Sequence, residues 1–249
     1  WVAVGSDTSN TIATSTDGII WTGRGISIFD TFGRGIAWNG NLWVAVGQGT
    51  SNTIATSPDG INWTGRDKTI FNLRGTDIAW NGSLWVAVGG ALTHTIATST
   101  NGFTWTGRDT TIFSISGNGI CWTGKIWIAV GEGTNTIASS IDGIIWIIKD
   151  ASIVFTKARG VAYGANTWVA VGEGTTNTIA YSTNNGTTWT GIGKTTFTTA
   201  GNNVAWNGSL FVAVGQRGNT VATSVNGTVW SSVIGTTFAT YGSDIQWLN

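Results

Sequence analysis

The sequence predicts an all-β chain assembled from six copies of one four-stranded antiparallel repeat, and three observations carry that reading. The stretch WVAVGQGTSNTIATSPDGINWTGRD, Trp43 to Asp67, returns from Trp1, Trp85, Trp127, Trp168 and Phe211, at spacings of 42, 42, 42, 41 and 43 residues. Within it Trp43, Ala45 and Gly47 alternate with Val44 and Val46, the period-two pattern of a strand. Turn residues punctuate every copy, and the chain holds 37 Gly against a single Pro. A period near 42 carrying four short strand signals is that of a β-propeller with one blade per repeat. The expectation is therefore a six-bladed β-propeller forming a single domain over 1–249, with blades at 1–42, 43–84, 85–126, 127–167, 168–210 and 211–249.

The four strands are clearest between Gly33 and Gly65. GRGIAWNG is the first, closed by Asn39-Gly40, a dipeptide suited to the positive φ angles of a tight hairpin. NLWVAVG is its partner, QGTSN a polar loop, and TIATS the third strand. SPDGINW turns the chain into the fourth, NWTG, and RDKTIFNLRG crosses to the next blade, pinned by the aromatic of its IF pair. Chain order in such a blade runs outward from the axis, which makes GIAW innermost. The chain opens on a second strand and ends on a first, Ser243 to Asn249, so pairing of the two terminal strands is expected to close the ring and remove exposed edges.

Aromatic residues recur at three positions. The second strand gives Trp1, Trp43, Trp85, Trp127, Trp168 and Phe211. The fourth gives Trp21, Trp63, Trp105, Trp146, Trp189 and Trp230, and the first gives Trp38, Trp80, Trp122, Tyr163, Trp206 and Trp247. A sugar-stacking platform needs no aromatic in every blade. Packed sheets do need large side chains facing small ones, and alternation of Trp with Ala and Gly supplies that fit.

Composition narrows the partners. Twelve basic and twelve acidic residues give zero net charge and are scattered, which argues against nucleic acid and an anionic membrane surface. No apolar run approaches the ~20 residues of a membrane span. A single cysteine, Cys121, rules out an internal disulfide. With no Met and an opening mid-repeat on Trp1, the chain reads as a processed protein or a propeller cut from something longer.

The turn between third and fourth strands repeats as Ser15/Asp17/Gly18/Trp21, Ser57/Asp59/Gly60/Trp63 and Ser140/Asp142/Gly143/Trp146. Asn replaces Asp at Asn101, Asn184 and Asn226, and the fifth copy, Ser182 to Trp189, carries one residue more. Asp or Asn caps turn N–H groups, Gly takes a positive φ and Trp packs beneath. This motif resembles the Asp-box (BNR-like repeat) of sialidase-like, sortilin-like and photosystem-assembly propellers. The resemblance implies a structural turn on the face away from any active site. The whole repeat is also similar to those of uncharacterised proteins deduced from giant-virus and environmental sequences, a resemblance that covers the full chain and implies little about role; an extracellular or virion-associated setting is a separate expectation.

Catalysis finds little support. A sialidase needs an arginine triad, a Tyr/Glu pair and an acidic proton donor; seven Arg, three Tyr and two Glu without an Arg-Ile-Pro motif do not supply them. The one histidine, His94, sits in a polar loop, and Cys121 replaces Ala on an inner strand, where it suits a small buried hydrophobe. No metal-ligating or cofactor-binding cluster is legible, so the chain is expected to be no enzyme and to carry no metal or cofactor.

The segments that vary are the loops after the second strand and the starts of the inner strands. The loops SDTSN, QGTSN, GALTH, EGTN, EGTTN and QRGN offer amide, hydroxyl and occasional acid groups, suited to a neutral polar ligand such as a glycan. The inner strands start on Arg34-Gly35, Thr76-Asp77, Asn118-Gly119, Arg159-Gly160, Asn202-Asn203 and Ser243-Asp244, which are expected to ring the channel mouth. From these come the candidate ligand residues Arg34, Asp77, Asn118, Arg159, Asn203 and Asp244. One reading is an asymmetric mouth with Arg159 free to meet an acidic group; the other has Arg34 neutralised by the flanking Asp77 and Asp244 and Arg159 solvated. Five N-x-S/T sequons, at Asn62, Asn81, Asn185, Asn207 and Asn226, coincide mostly with Asn-Gly turns and do not establish secretion. The leading reading is non-catalytic, lectin-like recognition of a glycan or protein. The alternative is a structural module of a virion or extracellular assembly, and a hydrolase with an unfamiliar site comes third.

Overall fold

In the computed structural model, the described residues are 1–108, 111–149, 154–233, 238 and 240–246. They are all-β and contain no helix. The chain divides into two compact units: Trp1–Thr111 with Ile115–Ile120, and Ile112–Ser114 with Cys121–Asn249.

In the first unit, β1 (Val2–Val4), β2 (Ile12–Thr14) and β3 (Thr22–Gly23) form a three-stranded sheet. Four-stranded sheets follow in chain order: β4 (Phe32–Trp38), β5 (Trp43–Gln48), β6 (Ile54–Ser57) and β7 (Thr64–Gly65), then β8 (Arg74–Trp80), β9 (Trp85–Gly90), β10 (Ile96–Ser99) and β11 (Thr106–Gly107). Strand β12 (Ser116–Trp122) has residues in both units.

The second unit continues with β13 (Trp127–Glu132), β14 (Ile137–Ser140) and β15 (Ile147–Ile148), then β16 (Lys157–Gly164), β17 (Thr167–Glu173), β18 (Ile179–Ser182) and β19 (Thr190–Gly191). One pairing, Glu132 with Lys157, joins these two sets into a single sheet. The last four-stranded sheet is β20 (Phe197–Trp206), β21 (Phe211–Gly218), β22 (Val221–Ser224) and β23 (Ser231–Ser232). Apart from that junction, the ladders within each set are antiparallel between strands that follow one another in the chain. Ser243–Gln246 belong to no strand, and Trp247, Leu248 and Asn249, the rest of the expected closing strand, lie outside the described residues.

Both faces of the middle strands are covered, which is why the sequence alternates large and small apolar residues rather than apolar and polar ones. Val44, Ala45, Val46, Ile54 and Ala55 are all buried in the first unit, as are Val169, Ala170, Val171, Ile179 and Ala180 in the second. The connector aromatics Phe29, Phe71, Phe113, Phe155 and Phe197 are buried too. The Phe29, Phe71 and Phe197 rings lie against a glycine of a second strand: a methyl group on Gly47 would stand 2.9 Å from Phe29, one on Gly89 2.8 Å from Phe71 and one on Gly215 2.5 Å from Phe197. A buried threonine hydroxyl donates to the carbonyl of the same Phe, from Thr11 to Phe29 at 2.6 Å and from Thr53 to Phe71 at 2.8 Å.

The aromatic sets divide by position. Trp85, Trp127, Trp168 and Phe211 are fully buried, and a first-strand ring leans on a second-strand one in Trp80–Trp85 at 4.8 Å, Trp122–Trp127 at 4.9 Å and Trp206–Phe211 at 4.5 Å. Trp1 departs from the packing role expected of its set, being 61% exposed. Five of the fourth-strand indoles, all but Trp189, donate to a turn carbonyl, as Trp63 does to Gly60 at 2.8 Å and Trp105 to Gly102 at 3.1 Å.

The S-x-D/N-G-x-x-W turns form as the sequence predicts. Ser57 Oγ accepts the Gly60 N–H at 2.8 Å and donates to Asp59 Oδ1, which accepts the N–H groups of Ile61 and Asn62 at 2.8 Å each. Gly60 has φ +75°, a conformation that only glycine adopts without cost. Asn101 and Asn226 do the same with an amide oxygen, so loss of the charge leaves the turn intact. In the longer fifth turn the extra residue is taken up at Asn185, φ +57°, and the Trp189 indole N–H is buried without a partner.

The three aspartates titrate below the usual carboxylate range. The first cause is the N–H of Ile20 for Asp17, of Asn62 for Asp59 and of Ile145 for Asp142. Because folding depresses these pKa values, the stability they add is complete above the unfolded value of about 3.9 and is lost as pH falls through the folded values. Replacing Asp17, Asp59 and Asp142 together by Asn is expected to flatten the acid limb of the stability curve below about pH 4, by removing at neutral pH the part of the stability that the charge supplies. Acid titration followed by tryptophan fluorescence checks this. An acid limb identical to the parent's would show that other groups govern it.

Candidate functional site

The variable positions at the start of the inner strands are β-bulges. The ladder slips by one residue between Gly33 and Gly35, between Gly75 and Asp77, between Ala158 and Gly160 and between Gly201 and Asn203. The residues left over are Arg34, Thr76, Arg159 and Asn202. A bulge bends its strand and re-aims one side chain, and here the re-aimed side chain is the one that differs between repeats.

In the first unit, the Arg34 Nη2 group lies 3.4 Å from Gln48 Oε1, with the guanidinium 4.8 Å from the centre of the Phe32 ring. Burial, and after it the charge of Arg74, lowers the Arg34 pKa from its ordinary value. Thr76 Oγ1 is 2.5 Å from the Gly117 carbonyl and 3.0 Å from that of Val88. Asp77 Oδ1 accepts the N–H of Ile78 at 2.8 Å, and Oδ2 accepts that of Ile120 at 2.9 Å, so one carboxylate ties two successive inner strands. Gly35 makes room for this approach, since a methyl there would stand 2.8 Å from Asp77 Cα. Asn118 Oδ1 accepts from the Ser116 hydroxyl at 3.0 Å.

In the second unit, Arg159 is ion-paired with Glu173. The expectation of an unengaged Arg159 is therefore corrected. Glu173 ends β17, opposite Lys157 in the ladder, and the bulge turns Arg159 back toward it. Lys157 also bonds Glu132 at 2.9 Å, so both glutamates of the chain belong to one row of alternating charge. The Arg159 Nε group is buried without a partner. Asn202 accepts from Gln216 Nε2 at 3.1 Å and donates to the Gly242 carbonyl at 2.7 Å. Asn203 Oδ1 accepts the Val204 N–H at 2.8 Å, while its Nδ2 donates to the Asp244 carboxylate and, at 3.2 Å, to the Ile245 carbonyl. Asp244 Oδ1 in turn accepts the Ile245 N–H at 2.8 Å.

Two classes of position emerge. Asp77 and Asn203 spend much of their hydrogen-bonding capacity on the backbone and work as clasps. Arg34, Arg159 and Asn202 each meet the residue that leads the polar loop after the neighbouring strand of the same sheet, Gln48, Glu173 and Gln216. Those loop residues are absent from the candidates drawn from the sequence. A constant separation of 14 residues within each pair is the signal that could have found them. Elsewhere in the first unit an open cleft of about 500 Å³ lies beside the turns, lined by Trp1, Asp17, Ile20, Arg24, Trp43 and Asp59 among others. Among the described residues, no three His, Cys, Asp or Glu side chains gather as metal ligands would.

No family model matches the sequence, and no curated protein matches it either. Solved structures do. The nidogen/laminin complex aligns with 90% of this chain and 89% of its own, with TM-score 0.64 and 13% identity. The GH74 enzyme of Niastella koreensis aligns with 92% of this chain at TM-score 0.61 and 17% identity, but this chain spans only 35% of the enzyme's length. The computationally designed Ika8 protein aligns over 91% of this chain and 70% of its own, with TM-score 0.58 and 13% identity. The fold is of the β-propeller kind. At these identities the likeness concerns the propeller fold alone, because propeller frames host unrelated activities.

Proposed function

We propose that the chain is a six-bladed propeller of the Asp-box kind, closed through its terminal strands, and that it works as a non-catalytic recognition module. Closure is supported by three features, each within its own unit. Gly5 meets open space where the equivalent Gly47 and Gly89 meet a Phe ring, and Phe238 is 44% exposed where the other connector Phe residues are buried. Gly242 approaches Val214 within 2.7 Å of an added methyl, as Gly75 approaches Val46 at 2.6 Å, so the segment around it docks as an inner strand does.

The observation that carries the recognition reading is the bulge. At three of the four bulges a variable polar side chain, Arg34, Arg159 or Asn202, is held against the first residue of a variable polar loop. Paired amide and charged groups of this kind suit hydroxyl-rich ligands, a glycan first, or the polar rim of a protein partner. Fold likeness to a protein complex and to an enzyme is compatible with either and chooses neither.

A broad glycan array probed with the purified protein, beside Arg34→Ala, Arg159→Ala and Asn202→Ala, tests the proposal. Arg159 and Glu173 are partly exposed, so losing the pair is expected to change stability by only about 1 kcal/mol or less. Glycan binding weakened at least about tenfold by one of the three substitutions, with an unchanged melting temperature, is the expected result. Binding indifferent to all three removes the bulge rim from the recognition surface.

A further inference from the structure

The first unit leaves two arginines without the carboxylates that the second unit gives its cations. In the second unit Lys157 stands opposite Glu173 in the ladder, Arg159 is ion-paired with that glutamate, and Lys157 bonds Glu132 at 2.9 Å. Each carboxylate belongs to the residue that leads a polar loop. The first unit carries cations at the same two strand positions, Arg74 where β16 has Lys157 and Arg34 where it has Arg159. The loop-leading residues differ. Phe32 stands opposite Gln48 and Arg74 opposite Gly90, so an amide and a bare backbone take the places of the two glutamates.

The acids alongside are engaged elsewhere. Asp77, which Gly35 admits across the two strands, gives Oδ1 to the Ile78 N–H and Oδ2 to the Ile120 N–H. Asp30 accepts from the Thr50 N–H at 2.9 Å and from the Thr50 hydroxyl. Arg34 reaches the Gln48 amide oxygen at 3.4 Å, and among the described residues Arg74 makes no side-chain hydrogen bond and no ion pair. A methyl group on Gly90 would stand 3.4 Å from Arg74 Cζ, so the guanidinium lies beside the place of the missing side chain. Burial, and after it the like charge of Arg74, hold the Arg34 pKa down, which puts the two cations within each other's field.

We propose that Arg34 and Arg74 form a clamp for the carboxylate of an acidic sugar, which takes the place that glutamate side chains fill in the second unit. This rests on the recognition reading above and names the ligand class for the rim of the first unit. A guanidinium presents its N–H groups as a fork that matches a carboxylate, and such charge-assisted bonds are roughly twice as strong as neutral ones. Two like charges held near each other disfavour one another, and a bound anion relieves both.

The surroundings suit a sugar better than a bare anion. The Phe32 ring lies 4.8 Å from the Arg34 guanidinium and steadies its fork. Gln48 Nε2 has no acceptor among the described residues, so it is left to donate to a hydroxyl beside the carboxylate. Lys157 and Arg159 are already met by Glu132 and Glu173, so the rim of the second unit is not expected to share the preference.

Calorimetric titration of the intact protein with trigalacturonate, its full methyl ester and a sulfated neutral trisaccharide tests this. Trigalacturonate is expected to bind at least about tenfold more tightly than the ester, which keeps the hydroxyls and loses the charge. Arg74→Gln and Gly90→Glu are each expected to weaken trigalacturonate at least about tenfold and to leave the ester unchanged. Gly90→Glu keeps both arginines and supplies the missing carboxylate from the chain itself. Lys125→Gln, which removes the same charge from an exposed lysine in the hairpin between β12 and β13, is expected to change nothing. Equal binding of acid and ester overturns the clamp and leaves the recognition reading standing. Binding of the sulfated sugar alone, or of no probe, overturns the clamp, and the glycan array decides the wider reading separately. An acid preference that survives both Arg74→Gln and Gly90→Glu, or that Lys125→Gln abolishes equally, overturns it too.

Discussion

Trp127→Ala is expected to lower the free energy of unfolding by about 3–5 kcal/mol, the range for truncating a large ring in a packed core. Trp127 is fully buried on β13 and touches Trp122 at a centroid distance of 4.9 Å, so its removal leaves a cavity that sheets on a regular frame cannot collapse to fill. One term works the other way. The Trp127 indole N–H is buried without an acceptor, and deleting an unsatisfied donor returns on the order of 1 kcal/mol or more. Trp127→Phe separates the two: it keeps most of the ring, discards the stranded donor, and copies the residue that the sixth repeat carries at Phe211. That variant is expected to lose less than about 1.5 kcal/mol. Trp21→Ala, at a site 44% exposed, is expected to lose roughly 1 kcal/mol or less. Urea unfolding of the three variants gives the comparison, and equal losses at Trp127 and Trp21 would defeat the assignment of second-strand rings to the core.

The sequence spells out whatever each repeat needs for itself. Strand order, the Asn39-Gly40 hairpin, the Asp59 turn and the buried connector Phe71 depend on residues close in the chain, and each uses a residue type suited to one conformation. Trp1 shows where that reasoning stops, because its type says core while its 61% exposure depends on what covers it. The candidate site was half legible for a related reason. Variation picked out Arg34, Asp77, Arg159 and Asn203, but a bulge is a register shift and leaves no mark on residue type. Without it, Arg159 looked unengaged when its partner Glu173 lies across a hairpin.

Asp77→Ala is the substitution that distinguishes a clasp from a ligand residue. It removes the acceptor for two backbone N–H groups, Ile78 at 2.8 Å and Ile120 at 2.9 Å, which belong to successive inner strands. Hydrogen bonds to a charged group contribute about 1.5–3 kcal/mol each, and because Asp77 is only half-buried the expected loss for the pair is about 2–4 kcal/mol. Asp77→Asn keeps one acceptor oxygen for Ile78 and presents an NH₂ group to Ile120, which cannot accept its N–H, so about half of that loss remains. Asn203 holds the same position in a later repeat without such a loss because the facing groups are acceptors, the Asp244 carboxylate and the Ile245 carbonyl. Amide hydrogen exchange gives the most local readout: protection at Ile78 and Ile120 is expected to fall in the Ala variant, and only at Ile120 in the Asn variant. Unchanged protection, together with loss of whatever ligand the glycan array identifies, would move Asp77 from the frame of the propeller to its binding surface.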